Sequence, residues 1–200
     1  PLFVKPNAEG TSMGVTEQSV VRTISELREQ LRLQLERYQQ PILVERFIQG
    51  REVLVGIVGN PTPNGDVTDG LTFVPILEVD FKAFGEDHVG FYTSEMKTVL
   101  SPDNYYYHCP APLTDEQASA IRRAAAGAFR ALDCRDVSRV DIRLDATRND
   151  EPIILEINPL PGLSPNYSDL CLQALAMGWE HEHLVGAIFE AAVKRCGLRE

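Results

Sequence analysis

The spacing of apolar and polar positions divides the first part of the chain into strand-like and helix-like segments. An apolar run at residues 2–5 predicts a strand, and a polar, glycine-containing loop follows it directly. Around residues 25–39 apolar side chains recur every three to four positions, which is typical of an amphipathic helix. The members of this stripe are Ile24, Leu27, Leu31, Leu35 and Tyr38. Two β-branched runs at 42–48 and 52–58 are separated by three residues, a spacing typical of a β-hairpin.

The rest of the chain predicts further strands and helices. Residues 80–110 show no periodicity and predict a long loop. Thr114 and Gln117 form a capping-box signature, which starts a helix. The predicted elements are a strand at 71–79, a helix from about 114 to 132, strands at 137–144 and 152–157, and helices at 169–177 and 182–196. Because strands come in hairpin pairs with helices between the pairs, the pattern predicts an α+β fold with a largely antiparallel sheet.

Composition and charge narrow the class of protein. The 200 residues are 44% hydrophobic and 24% charged, which is typical of a globular chain of one domain or two small ones. The formal net charge is −10 and no long basic run interrupts it, which argues against nucleic acid or an anionic membrane as the main partner. No apolar stretch approaches the roughly 18–20 residues of a membrane span.

Cysteine usage indicates the cellular compartment. Cys109, Cys134, Cys171 and Cys196 are far apart and form no CxxC pair, so they fit reduced thiols in a cytoplasmic protein better than a disulfide or zinc framework. The chain begins with a proline inside an apolar run instead of a methionine. We therefore expect it to be a piece of a longer protein.

The predicted hairpin at 138–158 carries the strongest chemical signal. Side chains alternate along a strand, so Arg139, Asp141 and Arg143 share one face of the first strand, and Glu156 and Asn158 share one face of the second. A turn centred between residues 148 and 149 places Asp141 opposite Glu156 and Arg139 opposite Asn158. Directly opposed side chains have Cβ atoms about 4.5–5.5 Å apart, so two carboxylates and an amide would converge beside one guanidinium group.

Two interpretations of this hairpin face are open on the pattern alone. Facing carboxylates destabilise a strand pair unless a cation lies between them, and an all-oxygen set is what Mg²⁺ prefers. The alternative is a solvated polar face in which the two acidic residues meet by chance.

Two further segments carry weaker signals. The loop after the first strand contains Gly10 and Gly14, hydroxyl side chains between them, and Lys5 at the end of the strand, a combination that can bind phosphate but that lacks the Gly-Lys-Ser/Thr of a Walker A motif. The stretch Glu45-Arg46-Phe47-Ile48, followed by Glu52, is by itself better explained as an edge strand of alternating charge.

Five segments taken together resemble one family. They are KPNAEGTSMGV, the stretch around Glu45–Ile48 with Glu52, FYTSEMKT, SRVDIRL and ILEINPLPGLSP, and they follow the order found in ATP-grasp enzymes, in particular the D-alanine–D-alanine ligases. The resemblance covers essentially all 200 residues. It implies an ATP-grasp fold with a nucleotide-binding portion at about 1–79, a lid loop at 80–110 and a metal-binding portion at 111–200. The N-terminal substrate domain of the family is absent from this chain.

The resemblance implies roles for individual residues around the reacting groups. Asp141, Glu156 and Asn158 match magnesium ligands, and Glu156 bridges two ions; Mn²⁺ is a possible substitute. Arg139 matches the arginine that stabilises the transferring phosphoryl group. Ser12 belongs to the loop over the phosphates, and the N–H of Gly162 would polarise the acyl oxygen.

The resemblance also implies an ATP site and a reaction. Lys5 and Lys97 match lysines on the ATP phosphates; Glu45, Phe47 and Ile48 fall at the adenine, and Glu52 at the ribose. The implied function is an ATP-dependent carbon–nitrogen ligase that joins small amino acids or peptides through an acyl phosphate. The alternatives are a nucleotide-binding module without ligase activity, or a ligase for a different amino acid or peptide pair. Where the D-alanine ligases carry a Ser-Leu pair, this chain has Tyr167-Ser168 when counted without gaps, or Ser168 at the serine position if the turn is one residue longer. The sequence therefore leaves the substrate pair open, and it leaves the oligomeric state open as well.

Overall fold

The computed structural model describes residues 1–10, 12–81 and 107–198. These residues belong to two compact units, of which the first ends at Ile48 and the second begins at Gln49. The predicted nucleotide-binding portion, 1–79, therefore extends across this boundary. Most of the predicted lid, 80–110, lies outside the described residues.

The first unit is built on a small antiparallel sheet. Its elements are β1 (Leu2–Pro6), β2 (Val20–Val21), α1 (Ile24–Tyr38) and β3 (Ile42–Arg46), and the strand order is β2-β1-β3. Helix α1 starts at Thr23, whose side chain accepts a hydrogen bond from the N–H of Glu26, as expected of an N-cap. The predicted strand and helix of this region are both confirmed.

The buried face of α1 differs from the predicted apolar stripe. Ile24 and Leu35 are exposed, whereas Gln30 and Gln34 are the buried residues of the helix. Gln34 is buried because its side-chain amide donates a hydrogen bond of 2.7 Å to the carbonyl of Gly14 in the preceding loop. Leu27, Leu31 and Tyr38 of the predicted stripe are half-buried, so the inward side of α1 agrees in part with the prediction and adds the two glutamines.

The second unit contains an antiparallel sheet with helices. Its strands are β4 (Glu52–Gly59), β5 (Leu71–Phe73), β6 (Leu77–Val79), β7 (Tyr107–His108), β8 (Val137–Asp145) and β9 (Glu151–Asn158). Its helices are α2 (Asp115–Ala131), α3 (Asp169–Ala176) and α4 (His181–Arg195). The strand order is β7-β6-β4-β8-β9, and β5 also pairs with β4. Among the described residues every strand pairing is antiparallel, which confirms the predicted α+β class.

The predicted hairpin between residues 42–48 and 52–58 is wrong. β3 pairs with β1 in the first unit, and β4 pairs with β5, β6 and β8 in the second. The connecting segment is instead bound to the end of β8, since Leu144 donates its N–H to the carbonyl of Arg51 and Ala146 to that of Gln49. Gly50 lies so close that a Cβ would be 1.7 Å from the carbonyl oxygen of Leu144, so only glycine fits there.

The predicted strand at 71–79 is interrupted. Pro75 has no N–H to donate to a ladder, and β5 and β6 end on either side of residues 74–76. The side-chain amide of the fully buried Gln173 on α3 donates to the carbonyls of Leu54 (2.8 Å) and Pro75 (3.0 Å). The helix thus replaces hydrogen bonds that a continuous strand would have made.

The main core lies on one face of the second sheet. Inward side chains of β4 and β8, including Val55, Ile57, Val140 and Ile142, pack against Phe129 and its neighbours on α2. A second apolar cluster lies under α3 and α4 and contains Val58, Val74, Val137, Leu170, Cys171, Ala174 and Leu184. The opposite face of the sheet also carries a group of polar side chains, here called the polar face, and the candidate site lies on it. Its members are Glu52 of β4, Arg139, Asp141 and Arg143 of β8, and Glu156 and Asn158 of β9. None of the helices described is long and apolar enough to cross a membrane.

Candidate active site

The paired strands β8 and β9 bring the predicted polar residues together. The observed register pairs Arg139 with Asn158 and Asp141 with Glu156, as the sequence predicted. Nδ2 of Asn158 lies 3.1 Å from Oε1 of Glu156 and 3.5 Å from Oδ2 of Asp141. Two carboxylates and one amide therefore converge on one face of the sheet.

A one-residue register shift in β9 makes this pairing possible. Ile142 pairs with Ile154, whereas Asp141 pairs with Glu156, so Leu155 is an extra residue in β9. The turn is therefore centred on residue 148 and not between 148 and 149 as assumed from the sequence. If β9 continued in the register set by the turn, with no shift, Leu155 and not Glu156 would lie opposite Asp141. Bulges of this kind are frequent beside active sites, where they re-aim a side chain.

Arg139 connects Asp141 of β8 to Asp169 at the start of α3. Its Nε and Nη2 donate to the two carboxylate oxygens of Asp141, at 2.7 and 2.8 Å, in a bidentate pair. Its Nη1 donates to Oδ2 of Asp169 at 2.8 Å, at the start of α3. Both carboxylates are partly or largely removed from solvent, and the arginine is held from two sides.

Burial and neighbouring charges shift the pKa values of Asp141 and Arg139. Burial raises the pKa of Asp141 to about 7, against the lowering effect of Arg139, and the nearby Glu156 and Glu52 raise it further. Burial alone would lower the pKa of Arg139, but Asp141, Asp169 and Glu156 raise it above its ordinary value. Burial is thus the main cause of the raised pKa of Asp141, whereas the neighbouring carboxylates are the cause of the raised pKa of Arg139.

Glu52, predicted at the ribose, lies on the same face of the second unit. It pairs in register with Arg143 of β8, and the two buried side chains form an ion pair. The guanidinium of Arg143 also lies over the ring of Phe81, 5.9 Å from its centroid. The carboxylate of Glu52 is therefore fixed on the face that carries Asp141.

Gly162, predicted at the acyl oxygen, lies in the exposed turn after β9. A Cβ at this position would be 2.7 Å from Oγ of Ser168, so a larger residue would require Ser168 to move. The same Oγ accepts a hydrogen bond of 2.9 Å from the N–H of Ser164. The hydroxyl of Ser168 thus lies within the turn and makes no capping hydrogen bond to α3.

The first unit carries the residues predicted for the adenine and the phosphates. Nζ of Lys5 lies 2.8 Å from Oε1 of Glu45, so these two predicted nucleotide ligands form an ion pair. Phe47 is buried and its ring stacks on that of Phe3, with centroids 6.0 Å apart. Ile48 is half-buried at the end of this unit. These residues are close to one another along β1 and the segment that follows β3.

The predicted phosphate loop is only partly described. Ser12 adopts a left-handed backbone conformation with φ of 60°, and its carbonyl accepts the N–H of Val15. The side-chain amide of Gln40 anchors the start of the loop through Glu9 and the N–H of Ala8, both at 2.7 Å. Thr11 and the predicted phosphate ligand Lys97 lie outside the described residues.

The polar face fits a hard divalent cation in its donor chemistry. In residues 1–10, 12–81 and 107–198 no three side chains of His, Cys, Asp and Glu cluster closely enough to hold a metal ion alone. Mg²⁺ is commonly bound by only one or two carboxylates, with waters and substrate phosphates completing its shell. Asp141 and Glu156 with the amide of Asn158 satisfy that requirement.

Comparison with known families decides the classification of the chain. The family described as the D-ala D-ala ligase C-terminus matches residues 1–190. The chain belongs to this family. D-Alanine–D-alanine ligases are ATP-dependent enzymes that typically use Mg²⁺, and the resemblance drawn from the five sequence segments is thereby confirmed.

Curated relatives of this ligase-family chain match nearly all of it. An uncharacterized protein, y4sG, of Sinorhizobium fredii is 32% identical over 197 residues, 98% of this chain and 53% of that protein. The D-alanine–D-alanine ligase of Delftia acidovorans is 32% identical over 192 residues, 96% of this chain and 52% of the ligase. The chain spans about half the length of the curated relatives it matches.

Solved structures show the fold. The D-alanine–D-alanine ligase from Bacillus anthracis complexed with ATP has a TM-score of 0.66 and 22% identity, and covers 97% of this chain and 53% of its own. VanG D-Ala:D-Ser ligase from Enterococcus faecalis has a TM-score of 0.68 and 23% identity, over 96% of this chain and 49% of its own. The fold of the ligase-family chain is therefore the predicted ATP-grasp fold.

The sequence did not predict the contact of Asp169 with Arg139, nor the role of Gly56, which allows α3 to pack close to the sheet. Gly56 of β4 pairs in register with Arg139, and a Cβ there would lie 2.4 Å from Cδ1 of Leu170. The missing side chain lets α3 pack closely on the sheet, which brings Asp169 to Arg139. An acidic residue in the first turn of a helix is a recognisable signal, but the contact to β8 depends on long-range packing.

Proposed function

We propose that the complete protein carrying this chain is an ATP-dependent carboxylate–amine ligase of the D-alanine–D-alanine ligase type. In the first step a carboxylate oxygen of one substrate attacks the γ-phosphorus of ATP, the bond to ADP breaks, and an acyl phosphate forms. In the second step an amine nitrogen attacks the acyl carbon and loses a proton, and inorganic phosphate leaves as the amide bond forms.

One observation carries this proposal. Asp141 and Glu156 face each other in register, with Asn158 and Arg139 beside them. The sequence resemblance implies that these residues are the magnesium ligands and the arginine of the family. Facing carboxylates cost stability unless a cation lies between them, and nucleotide binding alone does not require the added arginine. Membership of the ligase family supports the same conclusion.

The proposed roles follow from the chemistry of each residue. Asp141, Glu156 and Asn158 would hold two Mg²⁺ ions, or Mn²⁺ in their place, which supply positive charge to the phosphates. Arg139 would neutralise charge on the transferring phosphoryl group, since phosphoryl transfer depends mainly on positioning and electrostatics. The N–H of Gly162 would polarise the acyl oxygen.

The remaining predicted ligands complete the proposed ATP site. Lys5, Ser12 and Lys97 are proposed at the phosphates, Glu45, Phe47 and Ile48 at the adenine, and Glu52 at the ribose. We propose small amino acids or peptides as substrates. A cytoplasmic location, and the lack of a nucleic-acid or membrane partner, stay predictions from the sequence.

The test measures ATP-dependent activation of carboxylates by the complete gene product. With Mg²⁺, ATP and a panel of D- and L-amino acids and dipeptides, hydroxylamine will trap an acyl phosphate as a hydroxamate, and ADP will be released in equal amount. We expect at least one carboxylate to give both products. ATP turnover that no carboxylate stimulates, with no hydroxamate, would instead indicate a nucleotide-binding module without ligase activity.

A further inference from the structure

Arg143 is a charged residue of the polar face for which the sequence resemblance implies no role. It lies on β8 directly opposite Glu52 of β4, and the two side chains form an ion pair. Its guanidinium also lies over the ring of Phe81, with Cζ 5.9 Å from the ring centroid. Arg143 is therefore held by a carboxylate and by an aromatic ring at the same time.

Stability alone does not explain an ion pair at this place. Only 5% of the Arg143 side chain and 10% of the Glu52 side chain are exposed. The cost of removing two charges from water can exceed the attraction between them, and an apolar pair of similar volume is often equally stable. What the pair does supply is a carboxylate with a fixed position and a fixed negative charge.

Glu52 is the member of the pair that a ligand would meet, because it has the larger exposed fraction. An ionised carboxylate only accepts hydrogen bonds, so the matching groups of a ligand are hydroxyl or N–H donors. Its two oxygens match the two neighbouring hydroxyls of a ribose. Hydrogen bonds to a charged acceptor are stronger than those between neutral groups, so a fixed Glu52 can distinguish a ribose from a deoxyribose.

The proposed cations lie close enough to compete for Glu52. Asp141 pairs with Leu54, two residues along β4 from Glu52, so Glu52 and Asp141 are diagonal neighbours with Cβ atoms about 7–8 Å apart. A Mg²⁺ ion on Asp141 and Glu156 would attract a third carboxylate at this distance. Within the part of the chain that the structure describes, no three side chains of His, Cys, Asp and Glu cluster closely enough to hold a metal, and Glu52 is instead bound to Arg143.

We propose, on the basis of the proposed ligase function, that Arg143 is a positioning residue that holds Glu52 for the ribose of ATP, and that it thereby makes the protein select ribonucleotides over 2′- and 3′-deoxyribonucleotides. Arg143 does not touch the nucleotide. It acts through Glu52, because it fixes the carboxylate and offsets the negative charge that would draw it to Mg²⁺.

The experiment measures nucleotide binding to the complete gene product by isothermal titration calorimetry. ADP, 2′-deoxy-ADP and 3′-deoxy-ADP are titrated in the presence of Mg²⁺, so the measurement does not depend on turnover. We expect Kd to be at least tenfold lower for ADP than for either deoxy form. Equal Kd values for the three nucleotides would overturn the proposal.

Variants of Arg143 test whether it is responsible for the preference. Arg143→Lys keeps the positive charge beside Glu52 but lacks the planar group that lies over Phe81, and the ratio of Kd values should fall at least threefold. Arg143→Gln also removes the charge, and the ratio should fall at least fivefold. Arg51→Gln is the matched control, because it breaks the 2.6 Å ion pair with Glu78 of β6, which is paired with the core residue Val53 and so lies on the other face of the sheet; its ratio should be unchanged.

Glu52→Gln tests whether Arg143 acts through Glu52. This variant should lose the preference, and adding Arg143→Gln to it should lower the ratio no further. The double variant also contains no carboxylate that is buried without its partner, so it folds even if Arg143→Gln alone does not, in which case Arg143→Lys decides. A further fall in the double variant would mean that Arg143 contacts the nucleotide itself, and an unchanged ratio in Arg143→Lys and Arg143→Gln would remove Arg143 from selection; either result overturns the proposal.

Hydroxylamine trapping with the parent protein separates this proposal from the ligase function. Selective ADP binding without any hydroxamate would refute the ligase function and support the role of Arg143. Hydroxamate formation with equal binding of ADP and its deoxy forms would refute the role of Arg143 alone. Absence of nucleotide binding would refute both.

Discussion

Glu156→Gln should separate activity from stability more clearly than any other substitution in this site. The change removes one negative charge from the facing pair with Asp141 and keeps an oxygen that can accept the 3.1 Å hydrogen bond from Asn158. Glu156 is exposed, so its removal opens no cavity. Its proposed role is to hold both cations, so its loss leaves charge uncompensated at two points of the transferring group.

The two effects have opposite signs. Opposed Cβ atoms lie about 5 Å apart, and two unit charges at that distance repel by about 0.8 kcal/mol in water. Relief of this repulsion should raise the melting temperature of the metal-free protein by about 1–4 °C. A loss of ~4 kcal/mol or more of transition-state stabilisation lowers the rate about a thousandfold or more.

The assay pairs ADP release over a Mg²⁺ titration with thermal unfolding in EDTA. Glu151→Gln is the matched control, because Glu151 is an exposed residue of the same strand whose partner is Arg148, 3.0 Å away, and it should keep normal turnover. Retained activity in Glu156→Gln would remove Glu156 from the metal site. A melting temperature lowered by more than about 5 °C would make it a structural residue.

Three further substitutions test the fold around the site. Deleting Leu155 removes only the extra residue of β9, so Mg²⁺-dependent ATP turnover should persist. Deleting Ile157 turns Asn158 to the other face of the sheet and should abolish turnover. Equal ADP release from both deletions would contradict the register. Gly56→Ala forces a Cβ to within 2.4 Å of Leu170 and should cost about 1–3 kcal/mol in urea unfolding; an unchanged midpoint would show that α3 packs differently. The pKa of Asp141 is raised to about 7, so the folded state binds the proton more tightly than the unfolded state, and stability is lost as pH rises through 7. Relative to the metal-free parent, Asp141→Asn should therefore gain up to about 4 kcal/mol between pH 4 and pH 8, and a parallel pH dependence of the two proteins would refute this.

Local patterns predicted most of the elements because each has a strong local signal. The capping box of Thr114 and Gln117 forms as predicted, with both reciprocal hydrogen bonds. Gly178 and Gly197, which follow the last two predicted helices, have φ of 84° and 66° in the left-handed region that commonly ends a helix. Such signals depend on a few neighbouring residues and need no knowledge of the rest of the fold.

The errors arise where distant parts of the chain decide the outcome. A three-residue gap after β3 looks like a hairpin, but the long-range pairing of β4 with β8 overrides it. On α1 the buried positions include Gln34, whose side chain is bonded to a loop carbonyl, and hydrophobic periodicity cannot detect a buried glutamine.

The pairing of residues on the polar face was predicted correctly for an incomplete reason. The pairing of Asp141 with Glu156 is as predicted, yet the assumed turn was wrong by half a residue, and the register shift at Leu155 compensates for it. Strand alternation can identify which residues share a face only on one side of a bulge. Asp169 could not be placed at all, because its contact depends on the close approach of α3 to Gly56.

The spacing of Asp169 and Gln173 on α3 limits how this chain could be re-engineered. The two residues are four positions apart and lie on the same side of the helix, one bonded to Arg139 and the other to carbonyls of the sheet. Inserting one residue between them would rotate one about 100° away from its partner. A loop grafted in place of the segment before α3 must therefore be transplanted together with the helix up to Gln173, as a single block with its length unchanged.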